Sequence, residues 1–129
     1  MGRMQTARWA EYVDQQLKLP SGEMPIQMAH SDGTALPLLS HNGFGADVIR
    51  FAANKGVQRH IHEGDHILFV LSGEGIVEYD GEEFDLTPGI AYFVPGNISH
   101  AIRANTALVL IAVGNQHQPA GSEKRLEIV

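Results

Sequence analysis

Three histidines, His60, His62 and His66, fall in the stretch GVQRHIHEGDHILFVLSG, residues 56 to 73, and a fourth, His100, follows in PGNISH. Brought to one point, four imidazoles make a transition-metal site. Side chains on a strand alternate faces, so Gln58, His60 and His62 are expected on one face with successive Cβ atoms roughly 6 to 7 Å apart. That separation suits two imidazoles converging on one ion. The turn HEGD then reverses the chain and delivers His66 at the start of the next strand, where Leu68 and Val70 share its inward face. His100 supplies the ligand remote in sequence, opening a strand after a Pro-Gly-Asn turn. Gln58 is a candidate further ligand through its amide oxygen, and equally a hydrogen-bond donor to substrate, since neutral amides are weak ligands.

Composition narrows the chemistry. The 129 residues contain no cysteine, which removes thiolate nucleophiles, disulfides and sulfur-rich zinc sites together. A bound metal must therefore use nitrogen and oxygen ligands. Net charge is −6 with nine scattered Lys and Arg, so the footprint of a nucleic-acid binder is missing and a small molecule is the expected partner. The N-terminus MGRMQTARWAEYVDQQ lacks the apolar core of a signal peptide, and no run approaches the ~18 to 20 apolar residues that span a bilayer. A soluble, cytoplasmic, single-domain protein is the expectation, with no membrane partner.

The elements that must position the histidines are strands. Short apolar runs alternate with turn signals from Gly45 onward, which predicts an all-β barrel or sandwich. Strands are expected at Ala46–Ala53, Val57–His62, His66–Leu71, Gly75–Tyr79, Glu82–Leu86, Ile90–Val94, Ser99–Ala104 and Ala107–Val113. Asp80-Gly81 is a strong hairpin signal, because a type I′ turn needs positive φ at both central positions. Upstream, Arg8 to Leu19 is read as a short helix ending before Pro20. Met24 to Phe44, broken by Pro25, Gly33, Pro37 and Gly43, is read as an irregular arm with one or two edge strands. The polar tail from Gln116 is expected to leave the barrel, with Leu126, Ile128 and Val129 free to dock. This divides the chain into an arm at 1–44, a barrel at 45–115 and a tail at 116–129.

The histidine pattern resembles the two motifs of the cupin superfamily, G-x5-H-x-H-x3-4-E-x6-G and G-x5-P-x-G-x2-H-x3-N. Here they are written His60-x-His62-x3-His66-x6-Gly73 and Gly89-x5-Pro95-x-Asn97-x2-His100. The resemblance covers about residues 45 to 113. Asn97 stands for the second motif's glycine, its final asparagine falls one position late at Asn105, and Gly56 lies closer to His60 than the pattern asks. His66 stands where cupins usually place a glutamate ligand. The resemblance implies a single jelly-roll-like cupin barrel with one divalent metal held by His60, His62, His66 and His100, and Gln58 as a tentative fifth ligand. Zinc or nickel is favoured, with iron or manganese as alternatives. Family habit and the long N-terminal arm also imply a homodimer, since a small barrel with exposed edge strands is safer when paired.

An ion without anionic ligands keeps its full charge, which favours Lewis-acid work on a carbonyl or enolate oxygen. Among small single-barrel cupins, a four-histidine site is similar to that of the monofunctional aromatic polyketide cyclases. The leading expectation is thus a cyclase or isomerase acting on a carbonyl-rich small molecule. The rivals are a non-haem iron dioxygenase and a non-enzymatic ligand-binding module. Metal-bound hydroxide is the first candidate for the catalytic base, with Tyr92, and then Asp47 and Glu78, as candidates if they face inward, and Leu68, Val70, Phe93 and Ile102 are the candidate substrate pocket. Glu63 and Asp65 are read as solvated turn residues, with a supporting role behind the metal ligands as the lesser alternative. His30, His41 and His117 lack partners at ligand spacing. Trp9, Phe44, Phe51, Phe69 and Phe93 are expected in the core or at a dimer interface, and Arg59 is expected to face away from the metal.

Overall fold

The computed structural model describes residues 3–18, 26–29, 31–116, 118, 121–122 and 126–129. Leu19, Pro20, Met24, Pro25, His30 and His117, which figure in the readings above, lie outside the described residues. The described chain is built of strands: β1 (Glu11–Val13), β2 (Gln16–Lys18), β3 (Ile26–Gln27), β4 (Thr34–His41), β5 (Phe44–Phe51), β6 (Gly56–Ile61), β7 (His66–Ser72), β8 (Gly75–Tyr79), β9 (Glu82–Leu86), β10 (Ala91–Val94), β11 (His100–Ala104), β12 (Leu108–Gly114) and β13 (Glu127–Ile128). Each of the strands expected from Ala46 to Val113 is present, its ends shifted by two residues at most. Among the described residues no helix is long and apolar enough to cross a membrane.

Two antiparallel sheets share one core. A six-stranded sheet runs β10-β7-β12-β5-β4-β3, and a five-stranded sheet runs β13-β6-β11-β8-β9. Ile49, Phe51, Leu68, Val70, Leu110 and Ala112 from the first meet Val57, Val77, Leu86 and Ala104 from the second. The alternation in β12 explains its inner face, because Leu108, Leu110 and Ala112 sit two residues apart and all are buried.

The hairpins follow from turn chemistry. Asp80 and Gly81 take φ of 51° and 81°, the type I′ geometry their sequence predicts between β8 and β9. Asn42-Gly43 does the same between β4 and β5, with φ of 49° and 78°. Pro37 lies beyond the part of β4 that pairs with the short β3, so its missing N–H costs no bond to that strand.

Two expectations are corrected. Arg8 to Lys18 is not helical; β1 and β2 form a hairpin through Asp14 and Gln15, both at positive φ (50° and 62°). Tyr12, Val13 and Leu17 suit a strand as well as a helix, and the left-handed pair decides between them. The end of the tail docks on the barrel instead of leaving it, the alternative the apolar residues at 126, 128 and 129 left open. Its last residues return as β13 to pair with the outer edge of β6, and Leu126 joins the core at 8% exposure.

Candidate metal centre

The four histidines gather where the chain twice crosses between the sheets. The chain leaves β6 in the five-stranded sheet and enters β7 in the six-stranded one through residues 62–65. It returns from β10 to β11 through residues 95–99. His60 and His100 are paired directly across β6 and β11, with ring centroids 4.2 Å apart. His62, just past the end of β6, has its ring 4.7 Å from that of His100 and 4.5 Å from that of His66. One ring nitrogen from each of His60, His62 and His100 lies within 4.8 Å of the others. His66 is not part of that convergent set, so the expected four-imidazole cluster is three ligand nitrogens with the fourth ring beside them.

Backbone carbonyls set the tautomers. His60 Nδ1 is 2.8 Å from Gln58 O, His62 Nδ1 is 2.9 Å from Gly64 O, and His100 Nδ1 is 2.9 Å from Ile98 O. A carbonyl only accepts, so each Nδ1 carries the proton and donates it. Each Nε2 is left with its lone pair, which is how metal-binding imidazoles are oriented. Burial and then the nearby His100 lower the pKa of His60 from 6.5 to about 3, and burial lowers that of His100. Both rings are therefore neutral near pH 7, as a ligand must be. The donor set fits a divalent transition metal, with three imidazole nitrogens and, among the described residues, no carboxylate lining the site.

These rings open into a cavity of about 80 Å³, lined by His66 as well as the three convergent histidines. Its remaining wall is largely apolar, including Ile49, Phe51, Leu68 and Ile102. Among the described residues no Asp, Glu, Lys or Arg lines it. Met28, Gln116, Gln118 and Leu126 also reach it, from outside the stretch that carries the motifs. Sequence reasoning missed these, since nothing in their local pattern reports which end of a barrel a tail returns to.

The other candidates are sorted by strand geometry. Gln58 does not share the face of His60. The register runs from His100 opposite His60 to Ile102 opposite Val57, so β6 carries one extra residue, a β-bulge. Val57 and His60 are both buried, while Gln58 and Arg59 between them are exposed. Gln58 instead lines a separate surface depression with Glu78 and Arg103. Arg59 faces away as expected and pairs with Glu78 at 2.5 Å, which takes Glu78 out of the cavity. Tyr92 packs against the core and donates its hydroxyl to Asp85 O; it does not line the cavity, and burial raises its pKa. Asp47 is buried in β5 but is not part of the cavity wall. Leu68 and Ile102 line the cavity as expected, whereas Val70 lies in the core away from it. Phe93 is 64% exposed, because the inward positions of β10 are Tyr92 and Val94. His41 is exposed near the end of β4.

The departure at Asn97 is conservative in backbone terms. Asn97 takes φ of 63°, the left-handed conformation that glycine adopts freely and asparagine tolerates better than most residues. Its N–H donates to His62 O at 2.8 Å, joining the two crossovers that carry the histidines.

Comparison with known proteins agrees with this architecture. The cupin domain family profile matches residues 47–114. L-ectoine synthase from Vibrio campbellii is 36% identical over 66 residues, 47% of this chain and 52% of that protein. The match thus spans about half the length of that curated relative. Among solved structures, an RmlC-like cupin from Shewanella frigidimarina aligns with a TM-score of 0.67 at 22% identity, over 89% of this chain and 96% of the other. KdgF from Halomonas sp. aligns at 0.63 and 24% identity, over 67% and 81%. At these identities the structural likenesses speak for the fold alone.

Proposed function

Because the chain belongs to the cupin domain family, we propose that it is a metal-dependent enzyme acting on a small carbonyl compound, as an isomerase or cyclase. One observation carries the reading: three histidines, each with its Nδ1 held by a backbone carbonyl, converge at a largely apolar cavity with no charged side chain in its wall among the described residues. His60, His62 and His100 would hold the ion, with zinc or nickel favoured by the all-nitrogen donor set. A divalent ion there, its charge undiminished by any carboxylate ligand, supplies Lewis acidity toward a carbonyl oxygen.

The protein's own groups do the rest. The three carbonyls of Gln58, Gly64 and Ile98 keep the imidazoles oriented without reorganisation. Leu68, Ile102, Phe51 and Leu126 exclude water and confine the substrate's apolar portion. His66, beside His62 and on the same wall, is the group within reach of a substrate proton. Ligand sites for drug-sized molecules run to roughly 300 to 1,000 Å³, so a cavity of about 80 Å³ favours a compact substrate over a long poly-β-ketone chain.

Elemental analysis of protein purified without chelator or added metal tests this reading. Near-stoichiometric zinc or nickel, with loss of metal in His100→Ala, is the expected result. Stoichiometric iron with substrate-dependent oxygen uptake would instead make the protein a dioxygenase. Failure to bind any metal on titration would remove the enzymatic reading and leave a ligand-binding module.

The same reading includes a homodimer. Ile67, Phe69 and Phe93 are 37%, 42% and 64% exposed on neighbouring outward positions of β7 and β10, an apolar surface that pairing would cover. A monomeric mass in light scattering would remove the claim.

A further inference from the structure

His60 and His100 are held by the β6–β11 ladder, but His62 lies beyond the last residue of β6 and depends on its turn for its position. We infer that Asp65 is the positioning residue of the metal centre, tying the two crossovers that carry its ligands into one rim. Its Oδ1 accepts the N–H of Gly96 at 2.8 Å, linking the crossover that begins at His62 to the one that ends at His100. One residue further along, the N–H of Asn97 donates to His62 O. Two consecutive amides of the second crossover are thus held by the first.

Asp65 is itself fixed from a third direction. Its N–H donates to Asn115 Oδ1 at 2.8 Å, and its carbonyl accepts the N–H of Asn115 at 3.3 Å, so the end of β12 clamps the turn. The segments meet at backbone distance. A Cβ on Gly96 would fall 2.1 Å from Glu63 O, one on Gly64 would fall 2.2 Å from Asn115 O, and one on Gly114 would fall 2.3 Å from Asp65 O. Glycines therefore admit the close approach, and the Asp65 carboxylate supplies a directional bond across it. At 2.8 Å this bond has the ordinary length of a well-formed N–H···O bond, so the position of the acceptor oxygen sets the spacing of the two segments. Loss of the bond frees the His62 turn to move relative to His100, and the three ligand nitrogens no longer share one centre. Asp65 touches no ligand ring in this role; it works through the backbone, by the placement of its acceptor oxygen and not by its charge.

The inference rests on the proposed metal site, and the experiment separates the two. Cobalt(II) is titrated into the metal-free wild type, Asp65→Asn, Asp65→Glu and Asp65→Ala, with affinity read by calorimetry and ligand geometry by the visible cobalt spectrum. Asp65→Asn keeps an acceptor oxygen in place without the charge, and should bind within a few-fold of wild type with an unchanged spectrum. Asp65→Glu keeps the charge but moves the acceptor by a methylene, and should bind about 10- to 100-fold more weakly with an altered spectrum, as Asp65→Ala should if it folds. Wild-type affinity in Asp65→Glu, or equal losses in Asp65→Asn and Asp65→Glu, would overturn the inference while leaving the metal site intact. No cobalt bound by the wild type would overturn both.

Discussion

His60 and His100 are directly opposed across an antiparallel pair, and each donates Nδ1–H to the carbonyl two residues before it in its own chain, Gln58 O and Ile98 O. The two rings are presented alike by two strands that are forty residues apart, each locked by its own backbone. A ligand pair built this way needs no side-chain partner for orientation, which is why the cavity can be otherwise apolar.

The first prediction separates three ligands from four. His60→Ala and His100→Ala should each weaken zinc or nickel binding by about 100-fold or more in a calorimetric titration, since each removes one of the three convergent nitrogens. His66→Ala should retain binding within about tenfold, because its nitrogen stands outside that set. Equal losses in all three variants would establish His66 as a full ligand.

Gln58→Ala should leave metal affinity and activity unchanged. The bulge in β6 turns Gln58 to the outer surface beside Glu78 and Arg103. A large fall in affinity would mean that β6 changes register when metal is bound.

The metal-free protein should lose stability as acid is added. The folded pKa of His60 is held near 3, well below its ordinary 6.5, so below pH 6.5 the unfolded chain takes a proton that the folded chain refuses. Stability from this group is therefore complete above about pH 6.5 and falls toward pH 3, by up to about tenfold in the folding constant per pH unit. His100, lowered in the same direction, adds to the slope. Chemical denaturation of apo protein between pH 7 and pH 4 checks this, and His60→Gln should flatten the profile.

Asn97→Gly should be neutral or slightly stabilising, and Asn97→Val should cost about 1 to 2 kcal/mol, because Asn97 occupies the left-handed region at φ of 63°. Thermal unfolding of the two variants measures the difference.

Leu126→Ala should destabilise the fold by about 2 kcal/mol or more, as expected for a buried leucine, since Leu126 is 8% exposed in the core cluster. It should also enlarge the cavity and admit bulkier apolar ligands, detectable in a competition assay with a solvatochromic dye.

Much was legible in the sequence because strand physics is local. Alternation of apolar residues and the Asp80-Gly81 turn mark the strands around the site, and the spacing of His60, His62, His66 and His100 marks where a metal would be held. The same rule of alternation that places His60 inward also places Gln58 inward, and there the β-bulge intervenes. A bulge is a mismatch between two strands, β6 and β11, and no single strand's sequence records it. The Asn42-Gly43 turn was readable by the rule that identified Asp80-Gly81, whereas the β1–β2 hairpin stood against an equally plausible helical pattern.

What the sequence by itself determined is an all-β chain and the residue types able to bind a divalent metal, since both depend on short-range periodicity and on the absence of cysteine. Only the tertiary structure decided that three imidazole nitrogens converge while the fourth ring stands beside them, and that Tyr92 and Phe93 lie outside the cavity. It alone decided that Leu126 returns to close the cavity and that Asp65 bridges two crossovers. Those relationships join segments dozens of residues apart, and the packing of one sheet against the other sets them.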